Sequence, residues 1–287
     1  MKTGFSVFLA VLVTLGASWC GMVLAPVLQL GGEKQATILN GTDIYPLQPT
    51  GAAALGLQVY RANGCAACHT EQVRQSGVAC EVNLTSLGVY KPDDFKAFAR
   101  SLFVLPELAA YTNTINASLN NWSGELPKPI LITVDKDIAT EMADRLKAVG
   151  VKSELNILAT GSDMARGWGV RQSVAADYLY AQPVQLGSLR AGPDLANIGV
   201  RVPDAGLLLN HLFAPKLVNK DSTMPAFRHL FEVRKAGSSP SPDALKLPAG
   251  FVPEGFEVVP TTDAKNLAAY LASLKANAPL FEAPFTP

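Results

Sequence analysis

The sequence predicts a mainly α-helical protein with one N-terminal transmembrane helix, followed by a helical domain that a small α/β (α+β) domain interrupts. Three observations lead to this prediction. Residues 5–27 are almost wholly apolar, helical spacing of apolar residues occurs before residue 63 and after residue 262, and residues 130–158 show a strand–helix–strand pattern. The expected boundaries are 1–32 for the anchor, 33–77 and 163–287 for the helical domain, and 78–162 for the insert.

The N-terminal run contains 23 almost wholly apolar residues, and no charge occurs from Thr3 to Gly32. A helix of this length can cross a hydrocarbon core of about 30 Å. The run exceeds the ~7–15 apolar residues of a cleaved secretory peptide and lacks a clear small-x-small exit, so a retained anchor is preferred. Lys2 is the only flanking charge on the N-terminal side, which predicts a cytoplasmic N-terminus and an exported remainder.

The charge balance excludes one class of partner. With 24 basic residues, 24 acidic residues and three histidines, the formal net charge is zero, and no nucleic-acid partner is expected. Residues 33–51, which follow the anchor, are polar and turn-rich, and they are predicted to form a tether that lifts the exported domain off the membrane.

Residues 52–62 show helical spacing and lead into Cys65-Ala66-Ala67-Cys68-His69, a C-x-x-C-H motif. Two thiols at this spacing can form thioethers to both vinyl groups of one haem, and the adjacent imidazole can then ligate the iron. The alternatives are a C-x-x-C redox pair and half of a zinc site. Zinc would need a second ligand cluster, and the other cysteines, Cys20 and Cys80, lie far apart, so one covalent haem c is preferred.

The polar segment directly after the motif ends at Arg74, whose guanidinium could hold a haem propionate. The alternative is that residues 70–74 form a solvated helix surface. A thioether haem site also agrees with the predicted export of this part of the chain.

The pattern of polar and apolar residues changes where the insert begins. Lys91-Pro92-Asp93-Asp94 is predicted to start a helix with Phe95, Phe98, Ala99, Leu102 and Phe103 on one face. Residues 130–134 and 151–158 are predicted strands, and between them Asp135 is the expected N-cap and Gly150 the C-terminal stop of a second helix. The insert shows no catalytic pattern, and Cys80 is its only possible reactive group.

Gly192-Pro193-Asp194-Leu195 provides a candidate partner for the motif histidine. In small c-type cytochromes a loop of this type crosses the proximal haem edge, where the Pro carbonyl accepts a hydrogen bond from the ligating imidazole. Pro193 is therefore the predicted acceptor. The same tetrapeptide also occurs as an ordinary turn.

Ser222-Thr223-Met224-Pro225 supplies the predicted sixth ligand. A thioether is a soft, neutral ligand that raises the haem potential, as an electron carrier requires. Met224 is preferred over the other methionines because two belong to the anchor, one lies on a helix stripe and one follows the insert. His211 and His229 are the rival ligands.

The C-terminal part is predicted to contain a surface loop over residues 237–260 and a last helix that Thr262 caps. Leu267, Tyr270, Leu271 and Leu274 lie on one face of this helix, which is expected to pack across the first helix of the exported domain. The tail to Pro287 is expected to be unstructured until it is bound.

Taken together, these segments resemble the membrane-anchored monohaem cytochrome c subunit of cbb3-type cytochrome c oxidase, and the resemblance covers roughly Met1 to Gly77 and Met164 to Lys235. The motifs that carry it are Asn63-Gly64-Cys65-x-x-Cys68-His69-Thr70-x-Gln72-Val73-Arg74, Arg166-Gly167-Trp168-Gly169 with Arg171-Gln172-Ser173-Val174, Leu186-Gly187-Ser188 through Gly192-Pro193-Asp194-Leu195, and Ser222-Thr223-Met224-Pro225.

The resemblance implies a class I-like c-type cytochrome domain, with Cys65 and Cys68 bound covalently to haem and His69 and Met224 as the axial ligands of its iron. It implies an electron-transfer subunit of an oxidase, with no substrate-converting site of its own. The expected acceptor is the haem-copper catalytic subunit, and the expected donor is a dihaem cytochrome c subunit or a soluble cytochrome c. The expected location is the bacterial inner membrane, with the haem domain in the periplasm.

The insert departs from this family pattern and is similar to the C-terminal domain of the ribosomal stalk protein. The similarity is carried by Lys91-Pro92-Asp93-Asp94-Phe95, by Val134-Asp135-Lys136-Asp137 and by Lys147 to Leu155. In an exported chain this similarity implies a compact docking module, whose partner the sequence leaves open. Three alternative functions also stay open: the cytochrome c subunit of a nitric-oxide reductase, a haem-bearing periplasmic binding or assembly module, and a thiol oxidoreductase.

Overall fold

The computed structural model describes residues 2–39, 41–102, 110–181, 183–248 and 250–283. Phe103 of the predicted insert stripe lies outside these residues. The chain forms two compact units, one of residues 1–48 with 174–184, and one of residues 49–173 with 185–287.

The helices are α1 (Lys2–Trp19), α2 (Ala25–Leu30), α3 (Gly51–Ala62), α4 (Pro92–Leu102), α5 (Thr112–Asn120), α6 (Lys136–Ala148), α7 (Ser162–Ala165), α8 (Ile198–Arg201), α9 (Ala205–Phe213), α10 (Pro215–Val218) and α11 (Thr262–Ser273). The strands are β1 (Ala36–Thr37), β2 (Ile44–Tyr45), β3 (Gly77–Ser86), β4 (Lys128–Thr133), β5 (Lys152–Thr160), β6 (Phe231–Lys235) and β7 (Phe256–Pro260). Short 3₁₀ segments cover Cys65–Ala67, Ala175–Tyr178 and Arg228–Leu230.

The first unit contains the predicted anchor as one continuous helical stretch. A π-helical turn, Cys20–Leu24, joins α1 to α2, and the backbone N–H of Ala25 donates to the carbonyl of Cys20. Pro26 explains the local widening, because its ring carries no N–H and would press on the carbonyl four residues earlier. In the described part of the chain, Gly4–Leu30 is the one helix that is long and apolar enough to cross a membrane, which is consistent with membrane anchoring.

The segment predicted as a tether is more structured than that prediction states. β1 and β2 pair antiparallel, with Ala36 opposite Tyr45. The hydroxyl of Tyr45 donates to Oδ1 of Asp177 at 2.7 Å, and the Asp177 Oδ2 accepts from the backbone N–H of Val174. Side-chain hydrogen bonds thus connect the segment to residues 174–178 of the same unit.

The insert lies in the second unit and has the element order β3-α4-α5-β4-α6-β5. β3 is the central strand of its sheet, and β4 and β5 both pair antiparallel to it. The predicted strand–helix–strand unit is confirmed as β4-α6-β5, with the Asp135 carboxylate accepting from the N–H groups of Asp137 and Ile138 and with Gly150 at φ +80°. The core of the insert is a cluster of its own that includes Val82, Leu84, Phe95, Ile115, Leu119, Met142 and Leu146.

The helical part of the second unit is built on the crossing of α3 and α11. A Cβ added to Gly56 would lie 1.9 Å from the carbonyl oxygen of Asn266, so the two backbones touch and only glycine fits there. Leu267, Tyr270 and Leu271 are buried on the predicted face of α11. The N-cap is Thr261 rather than Thr262, because the hydroxyl that accepts from the Ala264 N–H belongs to Thr261.

Two further predictions for the C-terminal part are wrong over part of their range. The end of the predicted loop, residues 256–260, is strand β7, which pairs with β6 and buries Val258. The tail is ordered as far as residue 283: Ala276 donates its N–H to the carbonyl of Ala196, and Leu280 is buried. Both segments are held by contacts with residues distant in sequence, which local polarity does not reveal.

Candidate functional site

The C-x-x-C-H motif occupies a tight loop at the end of α3. Gly64 adopts φ +66°, in the left-handed region that favours glycine, and turns the chain out of the helix. The N–H groups of Cys68 and His69 then both donate to the carbonyl of Cys65, at 3.1 and 3.0 Å. Cys65 is half-buried and Cys68 exposed, and both are free thiols. Burial raises the pKa of the Cys65 thiol to about 11.

A second segment, residues 187–195, runs along this loop and fixes it. The N–H of Ser188 donates to Ala66, that of Gly192 to Cys68, and that of Leu195 to Thr70. These three backbone hydrogen bonds are 3.1, 2.9 and 2.7 Å long. The fold therefore brings the Gly192-Pro193 segment against the motif from a position more than a hundred residues later in the chain.

The structure places the carbonyl oxygen of Pro193 2.8 Å from Nδ1 of His69. Because a carbonyl can only accept, this contact requires a proton on Nδ1, so that in the neutral imidazole the lone pair is on Nε2. A neutral imidazole held in this way is a typical metal ligand. The geometry is the one predicted for a proximal haem ligand, whose assignment to His69 stays a prediction.

His69 occupies space that is free only because Gly187 and Gly192 carry no side chains. A Cβ added to Gly192 would lie 2.3 Å from Cε1 and 2.7 Å from Nδ1 of His69. A Cβ added to Gly187, which has φ +83°, would lie 2.2 Å from the carbonyl oxygen of His69. The loop can approach the motif this closely only because neither position carries a side chain.

Met224 and its rivals differ in their surroundings. Met224 packs against the same apolar cluster as Cys65, and its N–H donates to the hydroxyl of Ser222. Burial, and then the charge of His69, lower the pKa of His211 on α9. His229 instead has its Nε2 2.9 Å from Oδ1 of Asn63, just before the motif. Met224 remains the predicted sixth ligand, and His211 and His229 remain the rival ligands.

Arg74 is exposed, and the structure gives its side chain no partner among the described residues. Arg201 is an alternative that the sequence did not suggest. With Asn197, it lines a cavity of ≈ 220 Å³ that is otherwise mostly apolar. Within the described part of the chain, Nε of Arg201 and Oδ1 of Asn197 are buried without a hydrogen-bond partner. A carboxylate oxygen would satisfy the unpaired Nε, as a haem propionate could.

The segment after the motif is not a solvated helix surface, because residues 70–74 form no helix and are largely buried. Glu71 accepts from the hydroxyl of Tyr270 at both carboxylate oxygens, at 2.9 and 3.0 Å. Burial raises the pKa of Glu71 to about 7. This buried carboxyl lies between the motif and the α3–α11 crossing, and apolar periodicity gave no indication of it.

Replacing Tyr270 with phenylalanine is expected to lower the free energy of unfolding by about 1–3 kcal/mol, because the buried Glu71 carboxyl loses its hydroxyl donor. Denaturant titration of the full chain in detergent measures this loss. Tyr90→Phe is the control, since its hydroxyl makes no hydrogen bond within the described part of the chain. Equal losses in both variants would show that the Tyr270 hydroxyl contributes nothing specific.

The donor set fits a covalently bound haem. Two free thiols stand beside the His69 imidazole, two glycines leave room around that imidazole, and the buried Nε of Arg201 has no acceptor among the described residues. Within residues 2–39, 41–102, 110–181, 183–248 and 250–283, no group of three or more His, Cys, Asp or Glu residues is placed to hold a metal ion.

The comparisons with known proteins point in the same direction. The family model described as "Cytochrome C oxidase, mono-heme subunit/FixO" matches residues 160–248. This segment contains Pro193 and Met224, and it begins at the end of the insert. No curated protein matches the chain. The match shows that residues 160–248 are similar to the monohaem cytochrome c subunit of cbb3-type oxidases, a haem-binding electron-transfer subunit.

Proposed function

We propose that this chain is a membrane-anchored monohaem c-type cytochrome that passes single electrons to the haem-copper catalytic subunit of a cbb3-type, oxygen-reducing oxidase. One observation carries the proposal: the His69 imidazole, beside two free thiols, has its Nδ1 2.8 Å from the carbonyl of Pro193, a residue of the family-matched segment. The two features lie far apart in sequence, and the fold brings them together as a proximal haem ligand and its hydrogen-bond acceptor would require.

Each site residue has a distinct role in this proposal. Cys65 and Cys68 hold the haem through thioether bonds, and His69 Nε2 and Met224 Sδ ligate the iron. Haem c, when bound, supplies a centre that changes its oxidation state by one electron. Pro193 keeps the imidazole in one tautomer and orientation and raises its basicity. Arg201, or the more exposed Arg74, pairs with a propionate.

The apolar cluster and the anchor also contribute to electron transfer in this proposal. The apolar cluster beneath the motif, which Met224 and Cys65 flank, excludes water and so favours the less charged ferrous state. The chain converts no substrate itself. We infer that the anchor keeps the N-terminus in the cytoplasm and the haem domain in the periplasm of a bacterial inner membrane, within reach of a dihaem subunit or soluble cytochrome c as donor.

The function is tested on the complex that co-purifies with this chain from native membranes. The complex is supplied with reduced cytochrome c, and oxygen uptake is followed with and without cyanide. Rapid, cyanide-sensitive uptake is expected, together with a haem stain at this chain on a denaturing gel. Nitric-oxide consumption without oxygen uptake would assign the chain to a nitric-oxide reductase, and absence of a haem stain would leave the thiol oxidoreductase.

A second experiment addresses the insert. Removal of residues 78–162 is expected to leave haem attachment and electron transfer in place, because the insert has its own hydrophobic core. Loss of a cellular function while oxygen uptake persists would instead favour a binding or assembly module built around the insert. The similarity of the insert to the ribosomal stalk domain stays a prediction.

A further inference from the structure

The chain leaves the insert at a fully buried carboxylate. Asp163 follows β5 by three residues and has no solvent exposure. Its two oxygens accept from Nη1 of Arg190 at 2.7 and 2.8 Å, and Oδ2 also accepts from the backbone N–H of Arg74 at 2.7 Å. A buried carboxylate of this kind is stable only while these partners stay in place.

Arg190 connects this carboxylate to the segment after the haem motif. Its Nη2 donates to the carbonyl of Gln72 at 2.5 Å, and its guanidinium carbon lies 5.6 Å from the ring centroid of Trp168. One guanidinium thus joins the exit of the insert, the segment after the motif, and the start of the loop that leads to Pro193.

Asp194 holds the other end of that loop. It is also fully buried, and its Oδ2 accepts from the Thr70 hydroxyl at 2.6 Å and from the N–H of Gln72 at 2.7 Å. Pro193 lies between Arg190 and Asp194. The carbonyl that faces His69 is therefore fixed from both sides, by Asp163 through Arg190 and by Asp194 directly.

The entry and exit of the insert meet at this point. The N–H of Ser76 donates to the carbonyl of Thr160 at 2.8 Å, and Gly77 pairs with Thr160 at the end of the sheet. Asp163, three residues beyond Thr160, bonds the backbone of Arg74, two residues before Ser76. The stem of the insert and the loop beside His69 consequently share one network of buried hydrogen bonds.

We propose that Asp163 is a positioning residue that, through Arg190, fixes the Pro193 carbonyl against His69 and so ties the stem of the insert to the proximal haem ligand. The inference rests on the proposed function, because it takes His69 as that ligand. Weakening the bonds between Asp163 and Arg190 lets the Pro193 loop move away from His69. The imidazole then loses its hydrogen-bond acceptor and becomes a weaker electron donor to the iron. A less electron-rich ligand stabilises ferric haem less, so the haem potential rises.

The test uses the full haem-loaded chain and its complex. Asp163→Asn removes the charge with nearly unchanged shape, and Arg190→Lys keeps the charge but cannot reach Asp163 and the Gln72 carbonyl with one planar group. Two readouts are followed: the midpoint potential, and hydrogen exchange of the His69 Nδ1–H by NMR of ¹⁵N-histidine-labelled protein. We expect a higher potential and at least tenfold faster exchange in both variants.

The control is Asp144→Asn, which removes the same charge from an exposed position on α6 of the insert. It is expected to change neither readout. Asp163→Glu should restore part of the wild-type exchange rate, which a purely structural defect would not predict. If Asp163→Asn and Arg190→Lys bind haem and both keep the wild-type potential and exchange rate, the positioning role is overturned and the proposed function is not. If the chain carries no covalent haem, both the positioning role and the proposed function are overturned.

Discussion

Replacing Gly192 with alanine is expected to displace the imidazole of His69 and to abolish its normal ligation while haem stays covalently attached. The new Cβ would lie 2.3 Å from Cε1 of His69, far inside van der Waals contact. The ring has little freedom to turn away, because Pro193 holds its Nδ1, and the loop cannot retreat without breaking the bond from Gly192 N–H to the Cys68 carbonyl. Overpacking of this kind typically also costs about 1–3 kcal/mol of stability.

The optical spectrum and a haem stain test this prediction together. The variant is expected to retain the stain at Cys65 and Cys68 but to lose the spectrum of a six-coordinate, low-spin haem. Gly237→Ala is the matched control, because a Cβ there would meet only the Ser239 carbonyl at an ordinary 3.6 Å. A Gly192→Ala protein with an unchanged spectrum would show that His69 does not ligate the iron in the position described.

Replacing Met224 with alanine is expected to lower the midpoint potential by on the order of 0.1 V or more, within the ~0.8 V range over which axial ligands set haem potentials. The neutral thioether stabilises the ferrous state, and its loss leaves the position to water or to a nitrogen ligand. Haem attachment should persist, since Cys65 and Cys68 are untouched. The position of Met224 beside the cluster that Cys65 also contacts agrees with this role.

The controls for Met224 separate the ligand from its rivals. Met142→Leu changes a methionine in the core of the insert and should leave the potential unchanged. His229→Ala should also leave it unchanged, because that ring is engaged with Asn63. His211→Ala combined with Met224→Ala tests whether His211 is the replacement ligand, since the ring of the other rival, His229, is engaged with Asn63. An unchanged potential in Met224→Ala alone would refute the assignment of the sixth ligand.

Patterns within short segments were predictable from the sequence. The continuous apolar helix at the N-terminus, the β4-α6-β5 unit with its Asp135 cap, and the buried face of α11 all follow from periodicity and capping within about 30 residues. The C-x-x-C-H motif is equally local. The N-cap of α11 was misplaced by one residue because Thr261 and Thr262 are adjacent and both hydroxyls can cap.

Features that depend on distant pairing were not predictable. β3 is the central strand of the insert sheet, but its inward-facing residues Cys80, Val82 and Leu84 matter only once β4 and β5 flank it. The same holds for the burial of Glu71 against Tyr270, 199 residues away. Spacing within a segment carries no information about which remote segment will cover it.

The sequence alone therefore determined the apolar N-terminal helix, the C-x-x-C-H motif, the candidate ligands and the secondary structure around them, because each depends on residues that are neighbours in the chain. The tertiary structure decided which groups meet at the site. It placed the Pro193 carbonyl beside His69, left Nε of Arg201 buried without an acceptor among the described residues, and joined the exit of the insert to the Pro193 loop through Asp163 and Arg190. These contacts arise from packing and from the need to pair buried charges, which act in space and not along the sequence.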